Sequence, residues 1–292
     1  MRYVKRTEIN TEKWDACVAK SDKPLIYGVS WYLDAATNSQ WDGLIWGDYE
    51  TVLPLPWNRK LIAKQFYRPM LLQQQGPFGN GQPKQTILPL LSKKSVQHQV
   101  ALCEALIEGE QKRINLILNC NQEKQKLYEG FSKNRRYDAR NIEHTVEELT
   151  VDEFMKFFKK FAAELIEDQG IHLTTIKQII IACISNHHGL LLGGKVGDSV
   201  ESVIFLSKYR GRHTLLLSAT SKTGYEKSVN VFLLIYYIFK QAGKSIMLDF
   251  EGSEIPGVRD FYKSFGAQEE IYYLYTKQNQ WIQRLKNMLG KS

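Results

Sequence analysis

Eight consecutive segments between residues 190 and 276 decide the fold: Leu190–Val196 (LLLGGKV), Val200–Tyr209 (VESVIFLSKY), His213–Ala219 (HTLLLSA), Ser221–Asn230 (SKTGYEKSVN), Val231–Phe239 (VFLLIYYIF), Ser245–Phe250 (SIMLDF), Pro256–Phe265 (PGVRDFYKSF) and Gln268–Tyr275 (QEEIYYLY). The first three are runs of Val, Ile, Leu and Tyr bounded by the turn dipeptides Gly197-Asp198 and Arg210-Gly211, so they read as an antiparallel meander. A polar loop then feeds an apolar run long enough for a buried helix, with Gly243 just past its end. A strand, a short helix opened by Pro256 and a last strand complete the set. Backbone N–H groups in a loop that follows a strand and opens a helix can collect a phosphate.

The order β-β-β-loop-α-β-α-β, closing on Phe261-Tyr262-Lys263-Ser264-Phe265-Gly266-Ala267, resembles the core of the GCN5-related N-acyltransferase (GNAT) fold. Asp249-Phe250-Glu251-Gly252, followed by Gly257 and Phe261 through Phe265-Gly266, also resembles the Fem-type (FemAB-like) peptidyltransferases, which pair two such folds in one chain. Their pattern is Asp-Phe-Gly-Gly and then Gly-x-x-x-Phe-Lys-x-x-Phe-Gly. Here Glu251 replaces the first glycine of the pair, Gly252 keeps the second, and Tyr262 stands where the family has Lys, with Lys263 one place later. The likeness spans about 100 residues and is weak in the first half of the chain.

That resemblance implies the site. Ser221, Lys222, Gly224, Lys227 and Ser228 occupy the loop in which a GNAT holds the diphosphate of acyl-CoA, with Ser221 in place of the usual Arg or Gln. Glu226 in the same loop repels a diphosphate, whereas Lys222 and Lys227 attract one. Tyr225, Asp249 and Glu251 fall on the substrate side. Tyr262 and Lys263 are the catalytic candidates. Phe261 and Phe265, four apart on one helix, fix the buried face, which leaves Tyr262 at the core edge and Lys263 further out. Tyr262 suits an acid that protonates a departing thiolate or alkoxide. A cation at Lys263 would instead hold phosphate and offset developing negative charge.

The remainder of the chain is read for a partner to this half. At 292 residues, two domains are expected, divided near Glu148: 1–148 and 149–292. Asn10 caps a first helix, Trp41–Trp46 and Thr51–Trp57 form a hairpin about Gly47-Asp48, and Gln65–Gly76 reads as a strand. The spacing of Val96, Val100, Cys103 and Ile107 predicts a helix over Ser95–Glu108; strands are predicted over Ile114–Leu118 and Tyr137–Glu147. The first half thus reads as a divergent copy of the second. Asp152–Asp168 is an amphipathic helix with Phe154, Phe157, Phe158, Phe161 and Leu165 on its stripe; Leu173–Asn186 and Gln278–Met288 are further helices. Trp57, Arg59, Lys60, Arg68, Gln73 and Gln75 gather polar, basic and aromatic groups near strand ends, able to grip a phosphate or a peptide amide or simply to cover an apolar edge.

The net charge of +8 favours an anionic partner such as a nucleotide, tRNA, a cell-wall precursor or a membrane surface, and serves solubility equally well. No apolar run approaches the roughly 20 residues of a spanning helix, and Met1–Lys5 lacks the apolar core of a signal peptide. Cys17, Cys103, Cys120 and Cys183 have no Cys-x-x-Cys spacing and read as reduced thiols of a cytoplasmic protein. His187-His188 lacks partners at metal spacing, so no metal is expected. The expectation is an α/β chain of two tandem GNAT-like domains that moves an acyl or aminoacyl group onto an amine, with acyl-CoA or aminoacyl-tRNA as donor. The alternatives are a CoA-dependent N-acyltransferase and a non-catalytic binding protein on the same scaffold.

Overall fold

The computed structural model describes residues 1–60, 63–81, 87–95, 97–105, 111–167, 172–252 and 256–277. The chain divides into two compact units, Met1–Arg113 together with the chain from Ile271 onward, and Ile114–Glu270. Glu148, where the sequence suggests a boundary, lies at the end of a strand inside the second unit.

The first unit contains β1 (Arg2–Lys5), α1 (Thr11–Lys20), α2 (Ser30–Thr37), β2 (Trp41–Trp46), β3 (Thr51–Lys60), β4 (Ala63–Phe66), β5 (Phe78–Gly79), α3 (Ile87–Lys94) and β6 (His98–Leu102). Asn10 caps α1 as expected, its side chain accepting from Lys13 N at 3.0 Å. The β2–β3 hairpin forms as read, with Trp41 opposite Pro56 and Trp46 opposite Thr51. Inward-facing residues of these strands meet α3 in a core of Leu44, Leu53, Leu55, Phe66, Ile87, Leu91, Val100 and Leu102. Two expectations are corrected here. His98–Leu102 is a strand, not part of a helix, because it pairs antiparallel with residues 273–277 at the far end of the chain. That tertiary ladder outweighs a helical spacing of apolar residues. Nor is Gln65–Gly76 one strand: β4 ends at Phe66 and residues 67–77 are irregular.

The second unit contains β7 (Gln111–Asn119, from Ile114), α4 (Lys124–Gly130), α5 (Lys133–Asn141), β8 (Thr145–Glu148), α6 (Val151–Glu167), α7 (Leu173–Ser185), β9 (Gly189–Val196), β10 (Ser199–Tyr209), β11 (Arg212–Thr220), α8 (Lys222–Glu226), α9 (Val229–Gln241), β12 (Met247–Asp249), α10 (Pro256–Lys263) and the start of β13 (Gln268–Lys277). Its strands lie in the order β7-β12-β11-β10-β9-β8. The pairing is antiparallel except between β11 and β12. The meander, both flanking helices and the apolar α9 appear where the sequence puts them. Leu233, Ile238, Leu116, Leu206, Leu248 and Phe265 are central to the core on the α9 side. Tyr137–Glu147 is corrected from a strand to the end of α5 followed by β8. Helix α5 has no buried residue, so no apolar periodicity announces it; Ser132, which accepts from Arg135 N at 3.3 Å, is its start signal. The helix expected over Gln278–Met288 lies outside the described residues. The architecture is a mixed, mostly antiparallel sheet flanked by helices, an α/β fold.

Candidate functional site

Strands β11 and β12 run parallel for three pairs only, Arg212 with Met247 to Thr214 with Asp249. β11 then continues to Thr220 while the other chain turns away, Phe250 N donating to Leu116 O at 2.9 Å. The two strands part like a V. At the opening, Phe205 faces Leu217 and Leu206 faces Leu215, so Leu216 is the extra residue of a β-bulge. Such a residue is left out of the ladder and re-aims the strand beside it.

Tyr262 of α10 projects toward this opening. Its ring stacks on Phe250 with centroids 4.9 Å apart, and its phenol is hydrogen-bonded by the Ser218 hydroxyl of β11. Burial pushes its pKa up to about 12, the nearby Glu251 and Tyr225 add to the rise, and the Ser218 hydrogen bond opposes it. Ser218 and Tyr225 are solvent-exposed, so the phenol lies between core and solvent. The structure therefore brings Tyr225, Glu251 and Tyr262 together and adds Ser218, which an uninterrupted apolar strand did not single out. Lys263 turns outward, as its place on the helix implied, and pairs with Glu269 at 2.5 Å on the surface.

The Asp-Phe-Glu-Gly segment explains itself in physical terms. Asp249 is fully buried; its Oδ2 accepts from Arg212 Nε at 2.7 Å and its Oδ1 from Glu251 N at 2.8 Å. Arg212 also donates to both oxygens of Glu270, at 2.6 and 3.3 Å. Burial alone would lower the Arg212 pKa, but the two carboxylates outweigh it and raise it. Asp249 is thus committed to shaping the turn. Glu251 has φ +55°, the left-handed region that costs a side-chain-bearing residue about 1–2 kcal/mol. A glycine there would be at ease. At Gly252 the demand is steric: a Cβ would lie 1.7 Å from Ile114 O.

The loop before α9 is organised from within. The Ser221 hydroxyl donates to the Glu201 carboxylate and accepts from Gly224 N at 3.0 Å, capping α8. Glu201 is itself a bulge residue in β10, and its carbonyl accepts from Ser221 N at 2.9 Å. Any Cβ on Gly224 would come within 2.2 Å of that carbonyl, so this glycine serves packing and its N–H is already engaged. Lys222 and Lys227 are exposed, with Lys222 3.9 Å from Glu226, and Ser228 opens α9 at φ +55° without a side-chain cap.

The first unit holds the other candidates. Trp57 is half-buried, with Lys64 Nζ 4.2 Å and the Arg59 guanidinium 6.0 Å from its ring. Lys64 donates to Asp42 and to the Tyr3 hydroxyl, which in turn donates to Asp42. Gln73 accepts from Gln74 Nε2 at 2.9 Å, and Gln75 is fully buried, with Oε1 accepting from Ala101 N at 2.9 Å. Gln75 thus acts as part of the core. Arg68 Nε and Trp57 Nε1 are buried with no hydrogen-bond partner among the described residues. The side chain of Lys60 lies outside what is described. Among the described residues no group of three or more potential ligands could hold a metal ion. No helix among them is long and apolar enough to cross a membrane.

A V-shaped parting of parallel strands after an antiparallel meander is the arrangement of the GNAT fold. No family model matches the chain, and no curated protein matches it in sequence. Solved structures do match. FemX superposes with a TM-score of 0.68 at 14% identity, over 98% of this chain and 99% of its own. A tandem GNAT protein from the clavulanic acid biosynthesis pathway gives 0.53 at 9%, over 94% and 97%. The C-terminal domain of a lysylphosphatidylglycerol synthetase, described as putative, from Agrobacterium fabrum gives 0.52 at 10%, over 91% of each chain. At these identities the shared property is the fold.

Proposed function

We propose that this protein transfers an acyl or aminoacyl group from an activated ester or thioester to an amine, and that the reaction takes place where β11 and β12 part. The observation that carries this is the gathering of Tyr262, Ser218, Glu251 and Tyr225 around the opening, beside a bulged strand. The amine nitrogen bonds to the carbonyl carbon while Glu251 takes a proton from the nitrogen. Negative charge gathers on the carbonyl oxygen, and in this reading a backbone N–H at the Leu216 bulge donates to it. The carbon–oxygen or carbon–sulfur bond then breaks, and the Tyr262 phenol protonates the leaving group. Solvent carries the proton from Glu251 back to the tyrosinate. A phenol with its pKa near 12 stays protonated at every physiological pH, which suits an acid and not a base.

An aminoacyl ester, as in a Fem-like reaction on a cell-envelope precursor, is favoured over acyl-CoA. The Gly224 amide is engaged by Ser221, and Glu226 faces solvent in the loop where a diphosphate would sit. Within the first unit, the basic and aromatic set about Trp57, Arg59 and Arg68 is offered as a place for an anion. The test is transfer to a muropeptide-type amine from aminoacyl-tRNA and from acyl-CoA, with Tyr262→Phe as the variant. Tyr262→Phe should lower kcat by about 10²–10⁴ with KM little changed. Full activity in the Phe variant would remove Tyr262 as the acid.

A further inference from the structure

The turn after β12 is held in an unfavourable conformation from outside its own residues. Glu251 sits at φ +55°, and a strained residue keeps such a conformation only when its surroundings over-determine it. Strand β7 supplies the backbone hold. Its Leu116 carbonyl accepts from Phe250 N at 2.9 Å, and its Ile114 carbonyl lies so close to Gly252 that no side chain fits there. The remaining hold comes through Asp249, whose Oδ1 accepts from Glu251 N at 2.8 Å. That carboxylate is fully buried and is itself gripped by Arg212.

The place of Arg212 in the sheet fits it for this. In the parallel register of β11 and β12, Thr214 stands beside Asp249 and Arg212 lies two residues back, so both charged side chains leave the same face. The guanidinium uses Nε on Asp249 and its other two nitrogens on Glu270 of β13. Asn115 of β7 also donates to Glu270, at 3.2 Å. A rigid fork occupied at both ends cannot rotate away from Asp249. A lysine, with one nitrogen on a flexible stem, cannot span the two carboxylates in that geometry. Burial first, and then the Glu251 carboxylate, raise the Tyr262 pKa to about 12, so that pKa reports where Glu251 stands.

We propose that Arg212 is a positioning residue of the site: through Asp249 it holds the turn that keeps the Glu251 carboxylate beside Tyr262. Its importance for turnover rests on the transfer reaction proposed above; the positioning itself does not. The test is a double-mutant cycle of Arg212→Lys and Glu251→Gln in the full chain. The Tyr262 pKa is followed by NMR of isotope-labelled tyrosine, its signal assigned by its loss in Tyr262→Phe. Glu251→Gln should lower that pKa by removing a like charge. Arg212→Lys should lower it too, whereas a weaker cation with the turn unmoved would leave it unchanged or raise it. The double variant should fall no further than Glu251→Gln alone. The φ-dependent amide coupling of residue 251 should change in Arg212→Lys as well. In the transferase assay, kcat of Arg212→Lys should fall roughly tenfold to hundredfold with KM little changed. Arg6→Lys, at a comparable forked pair with Asp34 in the first unit, should lower the Tm and move neither the pKa nor kcat. Asp249→Asn is the second variant. Its amide has one oxygen for two donors, Arg212 Nε and Glu251 N, so it should reproduce Arg212→Lys. An unchanged or higher Tyr262 pKa in Arg212→Lys, additive shifts in the cycle, or unfolding of both Arg212→Lys and Asp249→Asn would overturn the assignment. The expected pKa pattern without transfer from any donor would retire the transfer reaction and leave the positioning role standing.

Discussion

Replacing Glu251 by glycine should make the protein more stable and less active. The residue sits at φ +55°, where an L side chain costs about 1–2 kcal/mol. Glycine removes that cost but loses more freedom on folding, by roughly 0.5–1 kcal/mol. The bond from residue 251 N to Asp249 Oδ1, 2.8 Å, belongs to the backbone and survives. The net expected gain is about 0.5–1 kcal/mol, or about 2 °C in the Tm of a unit this size. Glu251→Gln keeps the backbone conformation and removes only the charge, so its Tm should match the parent within about 1 °C. Both variants should lose transferase activity, and both should lower the Tyr262 pKa from about 12, read by tyrosinate absorbance. Scanning fluorimetry and the absorbance titration separate the two contributions. A lower Tm in Glu251→Gly would show that the Glu251 side chain contributes more to the fold than its backbone strain subtracts.

Gly252→Ala should cost at least about 3 kcal/mol and disrupt the second unit, because its Cβ meets the Ile114 carbonyl of β7; parental urea stability in that variant would refute the steric reading. Acetyl-CoA should bind weakly, and Glu226→Gly should strengthen binding about two- to fivefold by removing an exposed like charge; micromolar binding by the parent would contradict this. Burial lowers the pKa values of His98 and His213 to about 4, and nearby cations add to the lowering, Lys277 at His98 and Lys208 and Lys244 at His213. The unfolded imidazoles take up protons below about 6.5 while the folded ones do not, so stability should fall as pH drops from about 6.5 to about 4. Urea midpoints across that range check it, and His98→Phe should flatten the curve.

The second unit was legible because its letters and its geometry agree. The strands of the meander are bounded by real turns, α9 is apolar enough to be buried over most of its surface, and Pro256 does open α10. Tyr262 and Lys263 were separable in sequence because a helix turns about 100° per residue, and the outward Lys263 follows from that arithmetic. What stayed hidden depends on partners far along the chain. His98–Leu102 cannot announce itself as a strand when its partner lies about 170 residues away. Ser218 cannot be told from its neighbours until the strand beside it ends. The division of the α6 phenylalanines into the buried Phe154 and Phe158 and the more exposed Phe157 and Phe161 needs the neighbouring elements in place, since all four share one repeating pattern.

The pairing of β6 with the end of β13 has a consequence for synthesis. The first unit emerges early from the ribosome, yet the residues that pair with His98–Leu102 are 273–277. At about 5–20 residues per second, β6 waits on the order of ten to thirty seconds for that partner. For that interval one face of its backbone ladder is open, a template for any passing extended chain. A nascent chain stalled before residue 271 would carry a nearly finished first unit with a sticky seam, and a chaperone or a tethered helper strand supplying residues 271–277 in trans should rescue its solubility.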